Sequence, residues 1–185
     1  VHHLLQILQT QELVAVNLEI SEWTHRIDPN DYSSEALKYW FIGNTSHVVD
    51  LAFHIAGVPR KLDSCVSGSL DWHPSACRFI GSGVTEENVL LSYHGYWDSP
   101  GRWSVECLTR DNRYILRPME KLAVQKKGSI EVSDVKEVDY SDDEICKPGL
   151  LKLFKSFVRN DYFGLCSLDS QIERLKIYSK MANYD

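Results

Sequence analysis

Asn44-Thr45-Ser46-His47-Val48-Val49-Asp50-Leu51-Ala52-Phe53-His54-Ile55-Ala56-Gly57 is the stretch around which the rest of the chain organises. Asn44 or Thr45 can cap a helix running over residues 46–56, and Gly57 with Pro59 behind it is a strong stop. Upstream, Val14 to Ile20 alternates apolar with small or polar residues, which predicts a strand with Val14, Val16, Leu18 and Ile20 on its core face. Before it, the apolar spacing over residues 1–13 suits the last turns of an amphipathic helix. The polar run from Ser21 to Ala36, with a turn at Asp28-Pro29-Asn30-Asp31, predicts a long loop of the kind that often carries function.

Downstream of the helix, apolar alternations fall at residues 61–67, 77–80, 88–93, 103–108, 114–116, 122–124 and 130–132, separated by polar turns. That spacing predicts a meander of antiparallel strands. The acidic segment over residues 139–144 reads as a solvated loop. Pro148 then opens a helix with one broad apolar stripe through Leu150, Leu151, Leu153, Phe154, Phe157 and Val158, and a last helix runs over about residues 167–181. Helices at both ends and strands in the middle predict an α+β domain: a largely antiparallel open sheet with helices packed on one face. The other face then needs polar side chains or a partner.

The chain has 185 residues, 43% hydrophobic and 25% charged, in the range of one soluble domain large enough to hold its core without a disulfide or metal staple. Its longest strongly apolar stretch, residues 48–56, contains Asp50 and His54 and is far short of the roughly 20 residues that cross a bilayer. No membrane span is expected. A net charge of −6 offers no concentrated basic surface for phosphate contacts, so no nucleic acid is expected either. Five scattered cysteines without a CxxC pair point to reduced thiols and a cytoplasmic protein. Hydrolase, zinc-protease and P-loop signatures do not occur.

The segment Tyr39-Trp40-Phe41-Ile42-Gly43-Asn44-Thr45-Ser46-His47-Val48-Val49-Asp50-Leu51, continuing to Gly57, resembles the start of the second domain of the glucose-fructose oxidoreductase and inositol dehydrogenase (Gfo/Idh/MocA) family. There a glycine-rich turn enters a helix reading Gly-x-His, two apolar residues, Asp and Leu. The preceding strand, the meander and the C-terminal helix pair after Lys147-Pro148-Gly149 agree, so the resemblance extends over nearly all of the chain. It implies that residues 1–185 are a single C-terminal substrate-binding and oligomerisation domain. The Rossmann domain that carries NAD or NADP and the catalytic lysine would lie upstream of Val1, outside this chain, and no cofactor is expected on the chain itself. The one Gly-x-Gly, Gly81-Ser82-Gly83, is expected between strands with no helix after it, and so fails the dinucleotide fingerprint.

Carried over residue by residue, the resemblance places the family's helix histidine on His47 and its structural aspartate on Asp50. In sugar and polyol dehydrogenases of the family that histidine lies beside the reacting carbon, and an imidazole can move a proton near neutral pH. The alternative for His47 is a packing or capping role in the first helical turn. Gly43 stands where the family often has an aspartate one turn earlier, which departs from the pattern. Tyr39, Trp40 and Asn44 fall in the stretch bordering the substrate, where aromatic faces stack on sugar rings and an amide bonds hydroxyls; for the two aromatics, core packing serves equally. Trp23, His25 and Arg26 in the loop are within range of a substrate carboxylate or phosphate, Arg26 through its fork of donors. His47, Asp50 and His54 share a helix face, but no metal is expected there. Tyr93 to Trp97 and Trp103 read as an aromatic sheet surface covered by a partner.

The resulting expectation is the substrate half of an NAD(P)-dependent oxidoreductase acting on a sugar, nucleotide-sugar or cyclitol, assembled as a homodimer or higher homo-oligomer. The alternative is a stand-alone α+β module that binds a ligand or self-associates without chemistry.

Overall fold

The computed structural model describes residues 1–161 and 166–184. Helix α1 (His2–Leu8) leads into strand β1 (Leu13–Glu19); after it come a short helix α2 (Ser34–Lys38) and helix α3 (Ser46–Ala56). Seven strands follow: β2 (Pro59–Ser67), β3 (Arg78–Thr85), β4 (Leu90–Tyr96), β5 (Ser104–Thr109), β6 (Asn112–Leu116), β7 (Leu122–Lys126) and β8 (Val132–Asp134). Helices α4 (Ser141–Ile145), α5 (Leu150–Val158) and α6 (Leu168–Ala182) close the chain.

All eight strands form one open sheet in the order β2-β3-β4-β1-β5-β6-β7-β8. The α+β class and the largely antiparallel sheet are as expected. The plain meander is not, because β1 lies in the middle, parallel to β4 and antiparallel to β5. A central position suits β1: Val16 and Leu18 within it and Ile20 just beyond its end are all buried. Val14 is the exception. A register shift between Leu13 and Ala15 takes it out of the pairing, and it is exposed.

Helix α3 lies over β1 with Val48, Val49, Ala52, Phe53 and Ala56 buried. It ends where Gly57 takes a positive φ of 85°, as its composition predicts. Its start differs from expectation. Residues Phe41–Thr45 form a π-helical turn that runs straight into α3, so Thr45 has helical dihedrals and neither Thr45 nor Asn44 acts as a cap. Helix α6 packs beside α3, with Phe53 and Tyr178 stacked at 6.3 Å, and it is capped by Ser167, whose hydroxyl accepts the Ser170 N–H.

The core closes around Phe41, Phe79, Trp97 and His73, whose rings lie 4.7 to 6.5 Å apart. This corrects the reading of residues 93–97 as one aromatic sheet surface covered by a partner. Strand alternation sends Tyr93 inward, Trp97 is buried as well with its indole N–H donating to the Ile20 carbonyl at 3.1 Å, and Tyr96 stays on the far face. Gly95 is forced by the same packing, since a Cβ there would lie 2.5 Å from Ile20 Cγ1.

Other corrections are local. The stretch over residues 21–36 contains two 3₁₀ turns, Thr24–Arg26 and Pro29–Asp31, and the start of α2, capped by Ser33. Residues 141–145, read as loop, make the short helix α4. The helix after Pro148 begins at Leu150, behind Gly149 in a left-handed conformation, and its apolar stripe is exposed at Leu150, Leu153 and Phe154. Gly81-Ser82-Gly83 lies inside β3, not between strands. No helix among the described residues is long and apolar enough to cross a membrane.

Candidate functional site

Strand β1 ends at the sheet's centre, and the chain leaves it through Ile20, Ser21 and Glu22, all buried. Antiparallel pairing of Glu19 with Ser104 draws the entry to β5 alongside, which brings Arg102 and Trp103 to that end of the sheet. Backbone and side chain cooperate there: the Arg102 N–H donates to Glu19 Oε1 at 2.9 Å, and Trp23 Nε1–H donates to the Gly101 carbonyl at 2.9 Å. The π-helical turn before α3 supplies the third wall. Together Glu22, Trp23, Arg26, Ile27, Trp40, Asn44 and Arg102 line a cleft of about 240 Å³.

Glu22 is the organising group. It is 4% exposed, and its Oε1 accepts from Asn44 Nδ2 at 3.0 Å and from the Thr45 hydroxyl. Burial pushes its carboxyl above the usual carboxylate range, against the opposing pull of the Thr45 and Asn44 hydrogen bonds and the charge of Arg102. Arg102 is held between two indoles, its guanidinium carbon 4.9 Å from the Trp23 ring centre and 4.8 Å from that of Trp103. The cleft therefore offers aromatic faces, a buried carboxylate, an amide and two guanidinium groups.

Of the residues singled out from sequence, Trp23, Arg26, Trp40 and Asn44 meet in this cleft. His47 does not line it; it is exposed in the first turn of α3, its ring 6.5 Å from Trp103, whose neighbour Arg102 does line it. Tyr39 belongs elsewhere. It borders a second cleft with Lys38, Pro74, Ser75, Asn183 and Tyr184, and its ring packs edge-on to Tyr184 at 5.3 Å. Glu22 and Arg102 were missed by the sequence reading. The one signal for Glu22 was an acidic residue directly after a fully apolar strand face; Arg102 had none, because only strand order brings it 80 residues back to Glu22.

Asp50 is fully engaged in joining α3 to α6. Its carboxylate accepts from Gln171 Nε2 at 2.7 Å, from Arg174 Nη1 at 2.9 Å and from the Tyr178 hydroxyl. Those bonds explain why Asp50 is structural and leave it poorly placed to ligate a metal with His47 and His54; no group of metal ligands occurs among the described residues.

No protein-family profile and no curated protein matches the sequence. Solved structures do. A dehydrogenase (MviM) from Clostridium difficile superimposes with a TM-score of 0.67 at 13% identity, covering 98% of this chain and 58% of that one. An oxidoreductase from Agrobacterium radiobacter, in complex with NAD+, L-tartaric acid and magnesium, gives 0.64 at 10% identity over 97% of this chain and 56% of that one. The transcriptional regulator Gal80p from Kluyveromyces lactis gives 0.56 at 12% identity, over 91% and 49%. At these identities the likeness establishes the fold: an α+β domain of the type found in Gfo/Idh/MocA dehydrogenases and in Gal80p. The chain spans little more than half the length of the dehydrogenases it matches.

Proposed function

We propose that this chain is the substrate-binding and oligomerisation domain of an NAD(P)-dependent oxidoreductase acting on a sugar, nucleotide-sugar or cyclitol. The observation that carries this reading is the coincidence of a fold shared with dehydrogenases over 98% of the chain and an aromatic, polar cleft at the entry to the helix bearing His47. The chain's own residues do not fit the dinucleotide. The only Gly-x-Gly lies within a strand, and a Cβ at Gly81 or Gly83 would strike the Tyr93 ring at 2.4 Å or the Lys61 carbonyl at 2.3 Å. Those glycines serve sheet packing. The cofactor's place is on a Rossmann domain outside these 185 residues.

What this chain contributes is the wall that orients the substrate. Asn44 spends its amide N–H on Glu22 and keeps its Oδ1 to accept a substrate hydroxyl. Trp23 and Trp40 give apolar faces for a sugar ring. His47, beside the cleft, takes up the hydroxyl proton when a carbinol is oxidised and returns it in the reverse direction. In the intact enzyme His47→Ala is expected to lower kcat by roughly 10²-fold; an unchanged kcat removes His47 from the chemistry.

The non-catalytic reading also has a specific support. Gly43 leaves open space where the family pattern has a carboxylate, and the fold is shared with a transcriptional regulator. Under that reading the cleft binds its ligand, and the intact protein shows no NAD(P)-dependent turnover.

A further inference from the structure

Of the nine arginines, five hold a carboxylate, while Arg26, Arg60, Arg102 and Arg159 hold none among the described residues. The five are Arg78, Arg110, Arg113, Arg117 and Arg174, at 2.6 to 3.1 Å. Arg26 and Arg102, the two that line the cleft, form no ion pair among the described residues. In a chain of net charge −6, two unpaired guanidinium groups at one small cleft are a local reversal of sign. Arg102 is also pre-ordered. The two indoles that clamp it fix the guanidinium before any ligand arrives, so little side-chain entropy is lost on binding.

Trp40 adds a largely buried aromatic wall to the same cleft. The one carboxylate in the cleft, Glu22, already has its Oε1 occupied by two donors. The volume, about 240 Å³, is below the roughly 300–1,000 Å³ usual for drug-sized ligands and suits a single ring.

We infer that this cleft takes one hydroxylated ring bearing an anionic group, a carboxylate or a phosphate, with the charge held by Arg102 and Arg26 and the ring lying against the indoles. The inference rests on the substrate-domain reading and narrows it to acidic sugars or sugar phosphates.

Calorimetry and saturation-transfer NMR on the 185-residue chain with D-glucose, D-glucuronate and D-glucose 6-phosphate test it. At least one anionic sugar is expected to bind about tenfold or more tightly than glucose, with the advantage shrinking as salt is raised. The better of the two identifies the anion as carboxylate or phosphate. Arg102→Gln should remove the advantage and Arg102→Lys should keep part of it. Arg26→Gln, at an exposed position with no tertiary partner, should weaken it without touching the fold. Equal binding of all three sugars overturns the anion site and leaves the substrate-domain reading standing. So does an anionic preference that survives both glutamine variants. Failure of all three to bind at about 10 mM also overturns it, whereas the substrate-domain reading is then judged separately by turnover of the His47 variant in the intact enzyme.

Discussion

At the scale of single residues, two buried titratable groups give the protein opposing pH responses. The His73 ring is fully buried; Nδ1 lies 2.6 Å from the Ala76 carbonyl and Nε2 2.6 Å from the Tyr184 hydroxyl, which in turn accepts the Phe41 N–H at 3.2 Å. That chain of bonds is complete with the ring neutral, Nδ1–H donating and Nε2 accepting. Burial holds the His73 pKa below its ordinary value despite the Ala76 bond. A depressed histidine costs nothing above about pH 6.5; as pH falls below that, the unfolded chain takes up the proton first and stability drops. Glu22 acts the other way. Its raised pKa means that ionisation at neutral pH opposes folding, and the penalty is relieved as pH falls through the folded-state value toward about 4.5. Glu22→Gln keeps the acceptor for Asn44 and Thr45 while removing the charge. It should melt above the parent protein at pH 7, with the gap closing toward pH 4.5. A gap independent of pH would mean that the Glu22 carboxyl titrates alike in the folded and unfolded chains, which would overturn the raised pKa. Tyr184→Phe should cost about 1–2 kcal/mol in urea unfolding and flatten the loss of stability below pH 6.5.

The same residues show why part of the site was readable and part was not. Trp40 and Asn44 lie four positions apart in one local motif, which brings both to the cleft. Glu22 and Arg102 join the site through the pairing of β1 with β5, a contact with no trace in local sequence.

At the scale of elements, the junction between α3 and α6 rests on one carboxylate. Asp50 gathers Gln171, Arg174 and Tyr178 from the last helix, and its removal would leave a half-buried guanidinium and a buried phenol without their acceptor. Asp50→Ala is expected to cost about 3 kcal/mol, or roughly 6–12 °C in Tm, and Asp50→Asn less because the amide oxygen still accepts. A change under about 0.5 kcal/mol for the alanine variant, read by urea denaturation, would show that apolar stacking of Phe53 on Tyr178 alone holds the helices together. The helix itself was legible from its Gly57 stop. The turn before it was not, since a π-helical entry replaces an N-cap only because Thr45 and Asn44 turn toward Glu22 instead of toward the helix.

At the scale of the whole molecule, the sheet has helices over its core face and a mixed opposite face. Ile80, Leu90, Tyr96 and Val132 are exposed there among Asn17, Ser92 and the Arg113–Glu106 pair. We propose that a second copy covers this face, as an exposed apolar patch beside satisfied polar pairs suits a self-complementary interface. Light scattering should give a dimer, and Leu90→Glu should shift it toward monomer at least tenfold. A monomer at high concentration would count against a covered sheet.

Taken by itself, the sequence determined what local chemistry governs: the α+β class, the helix ending at Gly57, most of the strands, and the nearness of Trp40 to Asn44. Each follows from dihedral preference, apolar period or near neighbours, which act over a few residues. Tertiary structure alone decided that β1 enters the middle of the sheet parallel to β4, that Asn44 and Thr45 serve a buried carboxylate, and that Arg102 reaches the cleft. Those outcomes depend on how strands far apart in sequence pair, and that is settled only when all eight pack into one sheet.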